Sequence, residues 1–293
     1  WSGFIVSLFS KHSSIGIFTF FGFFLPFYLI QSPVRELKKH GYIQLIISVI
    51  GVGMSVPGPL DLKNGIVLTP PNLPGWHGFH VKEEAEKIFG KSCYIENDAN
   101  LAGLAEAIKG AGQGLEIVQF LTISTGIGAG LIIDGKVFQG ARGFAQEVAN
   151  AILWKEGPQM GQLKPGAVEA ICSGTAITYR ANQAGLKADH AGDVNDLALA
   201  GNAIAQEIIE DAKEYLANML ASMIGILDPH IIVLSGGVAM KIEGFIDDVQ
   251  ERVKTKVYDV QVDNVNIKPA LLGDDNGLIG GGLLAFENMK ETA

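Results

Sequence analysis

The sequence predicts an α/β fold in two lobes. Two strand-to-helix units and a glycine joint between them carry that prediction. Residues 93–95 form a short apolar run that passes through Glu96-Asn97-Asp98 into an alanine-rich helical pattern over 101–108. Residues 231–234 form a second run, which passes through Ser235-Gly236-Gly237 into a helical pattern over 242–253. Gly110-Ala-Gly-Gln-Gly114 lies between the two, and a boundary is expected near it. A chain of 293 residues is long enough to bury two cores.

The net charge of −9 argues against a nucleic-acid surface. The only cysteines, Cys93 and Cys172, sit among apolar or small residues. That excludes a cysteine-rich zinc site within the chain and speaks against a disulfide scaffold, so a reducing cytoplasm is the expected setting.

Composition changes sharply at the front. Residues 1–50 hold eight of the fifteen phenylalanines and one acid, Glu36; with Lys11, Arg35, Lys38 and Lys39 their charge is +3, leaving −12 for the rest. Residues 15–30 are nearly all apolar, but Gly16, Gly22 and Pro26 interrupt a run shorter than the ~20 residues a spanning helix wants. Packed strands are the preferred reading, because Phe, Ile and Thr suit them. An export or membrane segment is the other reading. A short polar helix over 34–39 and a strand over 43–52 follow.

Gly53-Met-Ser-Val-Pro-Gly58 ends that strand in a tight loop, where glycine permits close backbone approach to a ligand. Next comes the irregular stretch Thr69-Pro-Pro-Asn72-Leu-Pro-Gly-Trp76. The Asn72 amide both donates and accepts, which suits vicinal hydroxyls. Trp76 either stacks on a ligand or covers core. Residues 81–89 read as an amphipathic helix. Asp98 then stands at the mouth of the next helix, where an N-cap is the plain reading.

Beyond the joint, residues 117–124, 131–133 and 136–138 read as strands, with Thr125 to Gly130 as a glycine turn. No helix opens after these glycines, so a dinucleotide fingerprint fails. Backbone N–H groups with a Thr hydroxyl instead suit a phosphate cradle. A long core helix is expected over 202–227, stopped by Asp228-Pro229, then a buried strand and the Gly236-Gly237 edge site. A final helix over 277–286 has glycines that allow close packing, with Asp274-Asp275-Asn276 as its N-cap cluster.

Glu96-Asn-Asp-Ala-Asn100 resembles the catalytic segment of the ROK family of repressors, uncharacterised frames and sugar kinases. Gly53 to Gly58, Ser124 to Gly130 and Gly140-Ala-Arg-Gly-Phe-Ala-Gln-Glu147 match that family in the same order. The resemblance implies an actin-like, ribonuclease-H-type ATPase fold with a cleft between lobes. Its smaller lobe would be 1–110 with 276–293, and its larger lobe 111–275. It also implies ATP-dependent phosphorylation of a hexose or N-acetylhexosamine, with Asp98 as general base and magnesium accompanying the nucleotide. Gly58, Asn72, Asn97, Glu147, Asn150 and Glu169 would hold the sugar. Thr125, Gly126, Gly128, Gly236 and Gly237 would hold the nucleotide. A helix N-terminus is expected to lower the Asp98 pKa. A homodimer is the common expectation for the family.

Two departures from the family pattern stand out. The family's Gly-Glu-x-Gly-His reads Gln146-Glu147-Val148-Ala149-Asn150 here, so the histidine is an asparagine, and no cysteine remains in the family's zinc loop over 158–167. No zinc is expected. The family's Asp-x-Gly-x-Thr phosphate loop has no counterpart, since no Asp precedes Asp61. Either that half of the phosphate site is lost, or residues 1–31 do not represent the working N-terminus. A non-catalytic sugar-binding or regulatory protein is therefore the rival reading. A DNA-binding repressor lacks support, with no basic helix-turn-helix stretch ahead of the sugar lobe.

Overall fold

The computed structural model describes residues 5–10, 49–70 and 74–291. The expected polar helix over 34–39, the apolar run over 15–30 and Asn72 lie outside them. In chain order the elements are β1 (Ile5–Ser10), β2 (Val49–Ser55), β3 (Leu60–Asp61), β4 (Ile66–Val67), α1 (Val81–Phe89), β5 (Cys93–Glu96) and α2 (Asp98–Lys109). Then follow β6 (Ile117–Ile123), β7 (Ile127–Ile133), β8 (Lys136–Val137), α3 (Val168–Cys172), α4 (Gly174–Gln183), α5 (Ala191–Leu199) and α6 (Ala203–Leu227). The chain ends with β9 (Ile231–Ser235), α7 (Gly237–Lys241), α8 (Phe245–Lys254), β10 (Ile267–Pro269) and α9 (Asn276–Glu291). They divide into two units. One takes the described residues up to Ala105, Val137–Ala145 and those from Asp274; the other takes Glu106–Lys136 and Gln146–Gly273.

In the first unit, β2 and β5 run parallel from Val52↔Cys93 to Ser55↔Glu96, joined by a crossover that contains α1. A parallel pair needs such a crossover, and it brings the loops after both strands to one end of the sheet. Val52, Met54, Val81, Ala85 and Cys93 fill the core. Helix α9 presses on β2, and a Cβ at Gly53 would lie 1.8 Å from the Gly281 carbonyl oxygen. The glycines expected to allow close packing therefore do so by removing side chains where two backbones touch. Trp76 is buried edge-on to Phe79, which settles it as core.

The second unit carries a sheet in the order β10-β9-β6-β7-β8. Strand β6 pairs parallel with β9 and antiparallel with β7. Helix α6 buries Ile208, Ala212, Leu216, Leu220 and Met223 in the core that β6 and β9 line with Leu121 and Leu234. Its ends are those the sequence predicts. Asn202 Oδ1 accepts the Ala205 N–H at 3.0 Å, and Asp228 closes the helix in the left-handed region ahead of Pro229.

Two expectations are corrected in this unit. Strand β7 starts at Ile127, so Gly128 and Gly130 lie in the ladder opposite Thr122 and Phe120, and the turn is only Ser124–Gly126. Cross-strand pairing overrides the turn preference of those glycines. The helix expected over 242–253 begins only at Phe245 as α8, after Gly244 at φ 70°, and a short helix the sequence did not announce, α7, opens ahead of it at Gly237.

Candidate functional site

The first unit's cluster is built around the end of β5. Val56, just past β2, donates its N–H to the Glu96 carbonyl at 2.9 Å, which ties the Gly58 loop to the β5–α2 turn. Asn97, not Asp98, caps α2. Its carbonyl accepts the first helical bond from Leu101, and its Oδ1 accepts the Ala99 N–H at 2.9 Å. Asp98 is the first helical residue, with Oδ1 on the same Ala99 N–H. The cap reading therefore passes to Asn97, with Asp98 Oδ1 sharing the Ala99 N–H.

Asp98 meets solvent, yet enough protein surrounds it that desolvation raises its pKa above the ordinary carboxylate value. Backbone N–H groups of Ala99 and Asp98 pull the other way and lose. This corrects the expected lowering: the helix N-terminus acts, but burial outweighs it.

Glu96 is fully buried. Its Oε1 accepts from Asn97 N at 2.8 Å and Asn100 Nδ2 at 2.9 Å, and its Oε2 accepts from Gln139 Nε2 at 2.7 Å. Sequence reasoning placed Glu96 in the motif without giving it a role. The available signal was a carboxylate ending an otherwise apolar strand.

In the second unit, Gln146 adopts φ 69°, an uncommon region for a side-chain-bearing residue. The buried Gln119 in β6 holds it there, donating from Nε2 to Gln146 Oε1 at 2.9 Å. This fixes the backbone immediately before Glu147, and Gln119 is a second residue that sequence reasoning missed. Glu147 and Asn150 are exposed. Their segment runs beside α3, with Ala149 O accepting the Glu169 N–H at 3.2 Å and Ala151 O accepting the Val168 N–H at 2.9 Å.

The β6–β7 tip gathers the expected phosphate residues of this unit. Glu169 Oε2 accepts the Ile127 N–H at 2.7 Å, and a Cβ on Gly126 would meet that carboxylate oxygen at 2.7 Å. Ser124 O accepts the Gly174 N–H at 2.7 Å, which seats the start of α4 on the tip. Gly236, at φ 90°, lies against β6, where a Cβ would fall 2.4 Å from the Ile123 carbonyl oxygen. Beside the tip is a cavity of about 710 Å³ whose lining includes Thr125, Thr175, Asn195, Gly237 and Lys241. Hydroxyls, amides, Lys241 and open backbone there can meet a nucleoside phosphate, and the lining also carries two carboxylates, Asp189 and Asp196.

Thus Gly58, Asn97 and Asp98 come together in one unit. Thr125, Gly126, Glu169, Gly236 and Gly237 come together in the other, with the segment of Glu147 and Asn150 beside Glu169. Gly128 lies in the strand ladder below the tip. Among the described residues, no three His, Cys, Asp or Glu side chains are grouped to hold a metal ion. Cys93 and Cys172 are free, buried thiols; burial pushes the Cys93 pKa up to about 12 and Cys172 higher still. No helix of the described residues is long and apolar enough to cross a membrane.

The ROK family model matches residues 29–288. A glucokinase of Thermotoga maritima is 30% identical over 253 residues, covering 81% of this chain and 80% of that protein. The crystal structure of a ROK hexokinase from Thermus thermophilus superposes with a TM-score of 0.79 at 32% identity, covering 90% of this chain and 86% of that one. A ROK family glucokinase from Streptomyces griseus, solved with glucose and AMPPNP, gives 0.69 at 25% identity over 88% of each chain. N-acetylmannosamine kinases and xylose repressors are among the other relatives. The fold is the two-lobed actin-like α/β class of these kinases.

Proposed function

This chain belongs to the ROK family, and we propose that it is an ATP-dependent kinase for a hydroxyl of a hexose or N-acetylhexosamine. The observation that carries the reading is the state of Asp98: an exposed residue on the first turn of α2 whose carboxyl pKa is raised by desolvation despite the backbone N–H groups at the helix start. A base must reach a hydroxyl and hold its proton as bond-making proceeds, and a raised pKa makes a carboxylate a stronger base.

In the proposed reaction, Asp98 accepts the proton of the sugar hydroxyl. The hydroxyl oxygen forms its bond to the γ-phosphorus as the bond to the ADP oxygen breaks. Gly58, Asn72, Asn97, Glu147, Asn150 and Glu169 orient the sugar. Thr125, Gly126, Gly128, Gly236 and Gly237 take the nucleotide, which arrives as Mg-ATP, so the ion belongs to the co-substrate. We assign the sugar-base lobe to 1–110 with 276–293 and the nucleotide lobe to 111–275; the two units differ from that division in placing Val137–Ala145 with the first and residues 106–110 with the second. A cytoplasmic enzyme, assembled as a homodimer, is the working form we assign.

A second reading has its own support. With no Asp before Asp61, the first phosphate loop of the family has no counterpart, and xylose repressors are among the relatives. On that reading the chain binds a sugar without turning it over.

The test is ADP release with Mg-ATP against a panel of hexoses and N-acetylhexosamines, with Asp98→Asn alongside. Sugar-dependent release that the variant abolishes is the expected result, and it names the sugar. Sugar binding without release selects the second reading, and full turnover by Asp98→Asn removes Asp98 as base.

A further inference from the structure

We propose that Glu96 is a positioning residue of the phosphoryl-transfer step, holding the three loops of the first unit that present Asn97 and Asp98. The inference rests on the proposed role of Asp98.

The geometry is unusual for a core position. Glu96 has no exposed surface, and among the described residues no Lys or Arg pairs with it. Among the described residues its carboxylate is met by three N–H donors: Asn97 N at 2.8 Å, Asn100 Nδ2 at 2.9 Å and Gln139 Nε2 at 2.7 Å. Its own carbonyl takes the Val56 N–H at 2.9 Å. A buried carboxylate carries a desolvation cost that an apolar side chain at a strand end avoids. What the carboxylate adds is direction, because it accepts from three places on fixed axes.

Each tie bears on the proposed base. The Asn97 N–H bond sets the peptide plane just before α2, and thus the direction in which Asp98 leaves the turn. The Asn100 bond holds the same first turn of α2. The Gln139 bond fixes the loop that continues to Ala145, whose N–H returns to Gln139 O at 3.2 Å. The Val56 bond fixes the approach to Gly58. A carboxylate base must sit within a few tenths of an ångström of its productive place, and a 1 Å misplacement costs about 100-fold in rate.

Glu96→Gln and Glu96→Ala separate geometry from charge. Glutamine keeps one acceptor for Asn97 N and Asn100 Nδ2, and its new NH₂ group is met once the Gln139 amide turns over. Alanine removes the three side-chain ties. In the full chain, with D-glucose or N-acetyl-D-mannosamine as acceptor, Glu96→Ala is expected to lower kcat about 100-fold while Glu96→Gln stays within about tenfold of the parent, both with KM for Mg-ATP within about twofold. Asp98→Asn is run in parallel. If Asp98→Asn abolishes turnover while Glu96→Ala keeps the parent's kcat, the positioning role fails and the base assignment stands. If Asp98→Asn turns over normally, the base assignment itself fails. Equal losses in both Glu96 variants, or a parallel rise in KM for Mg-ATP, overturn the proposal in favour of charge or general structural damage. Should Glu96→Ala not fold, Gln139→Ala decides: it cuts one tie, a kcat loss of about tenfold is expected, and an unchanged kcat overturns the proposal.

Discussion

Glu169 Oε2 accepts the Ile127 N–H at 2.7 Å across 42 residues of sequence, and the Glu169 N–H returns to Ala149 O at 3.2 Å. One residue therefore braces the β6–β7 tip with its side chain and the Glu147–Asn150 segment with its backbone. This bracing contact comes in addition to the sugar contact proposed for Glu169.

Replacing Glu169 with Ala leaves the Ile127 N–H, on a buried residue, without its acceptor, at a cost of about 1–3 kcal/mol. KM for Mg-ATP is expected to rise about tenfold, while Glu169→Gln, which keeps an acceptor oxygen, stays near the parent. Gly126→Ala pushes the same carboxylate aside and should resemble Glu169→Ala. Steady-state kinetics with either substrate varied would check this; an Mg-ATP KM that stays at the parent's value would contradict the brace.

Gly236 and Gly237 are adjacent and should respond oppositely to a methyl group. Gly236 has φ 90° and would place a Cβ 2.4 Å from the Ile123 carbonyl oxygen, a backbone atom that cannot step aside. Gly237 has no atom within 4 Å of a Cβ. Gly236→Ala is expected to destabilise by about 3 kcal/mol or more, and Gly237→Ala by less than about 0.5 kcal/mol. Urea unfolding of the two variants measures the contrast, and equal midpoints would contradict the packing described.

The raised pKa of Asp98 has two pH signatures. As a base, it becomes active as pH rises through its folded pKa, so the acid limb of kcat/KM should lie above the ordinary Asp value of ~3.9. For stability the sign is reversed. Desolvation disfavours the ionised form, so the fold is favoured below the unfolded pKa and loses that advantage as pH rises through the folded one. Asp98→Asn should therefore raise the melting temperature at neutral pH and lose that gain in acid. A gain that persists in acid would point to packing rather than ionisation.

On the outer face of α6, Lys256 and then Arg252 hold the Glu214 carboxyl below its ordinary value. A lowered carboxylate pKa stabilises above the unfolded value of ~4.3 and loses that contribution as pH falls through the folded one. Glu214 is 42% exposed, so solvent screening keeps the effect under about 1 kcal/mol. Glu214→Gln should melt slightly below the parent at pH 7 and level with it near pH 3. Added salt should shrink the gap at neutral pH.

Short-range rules made much of the chain legible. The 3.6-residue spacing of apolar positions marks α6, and Asn202 and Asp228-Pro229 mark its ends, because caps and breakers act within one helical turn. The order of Glu96–Asn100, Ser124–Gly130 and Gly140–Glu147 gave the family and, through it, the fold class. Where local preference competed with pairing, the sequence misled. Gly128 and Gly130 read as turn residues, but β6 offered them ladder partners. The site's supports were hidden for a related reason. Glu96 with Gln139, Gln119 with Gln146 and Glu169 with Ile127 are contacts across 43, 27 and 42 residues, and no local pattern records them. The sequence by itself determined the family, and with it which residues are proposed for phosphoryl transfer. Only the tertiary structure decided that Asn97 is the cap, that Asp98 is left open with a raised pKa, and that Glu96 is buried behind both, because capping geometry, desolvation and long-range hydrogen bonds exist only once the chain has packed.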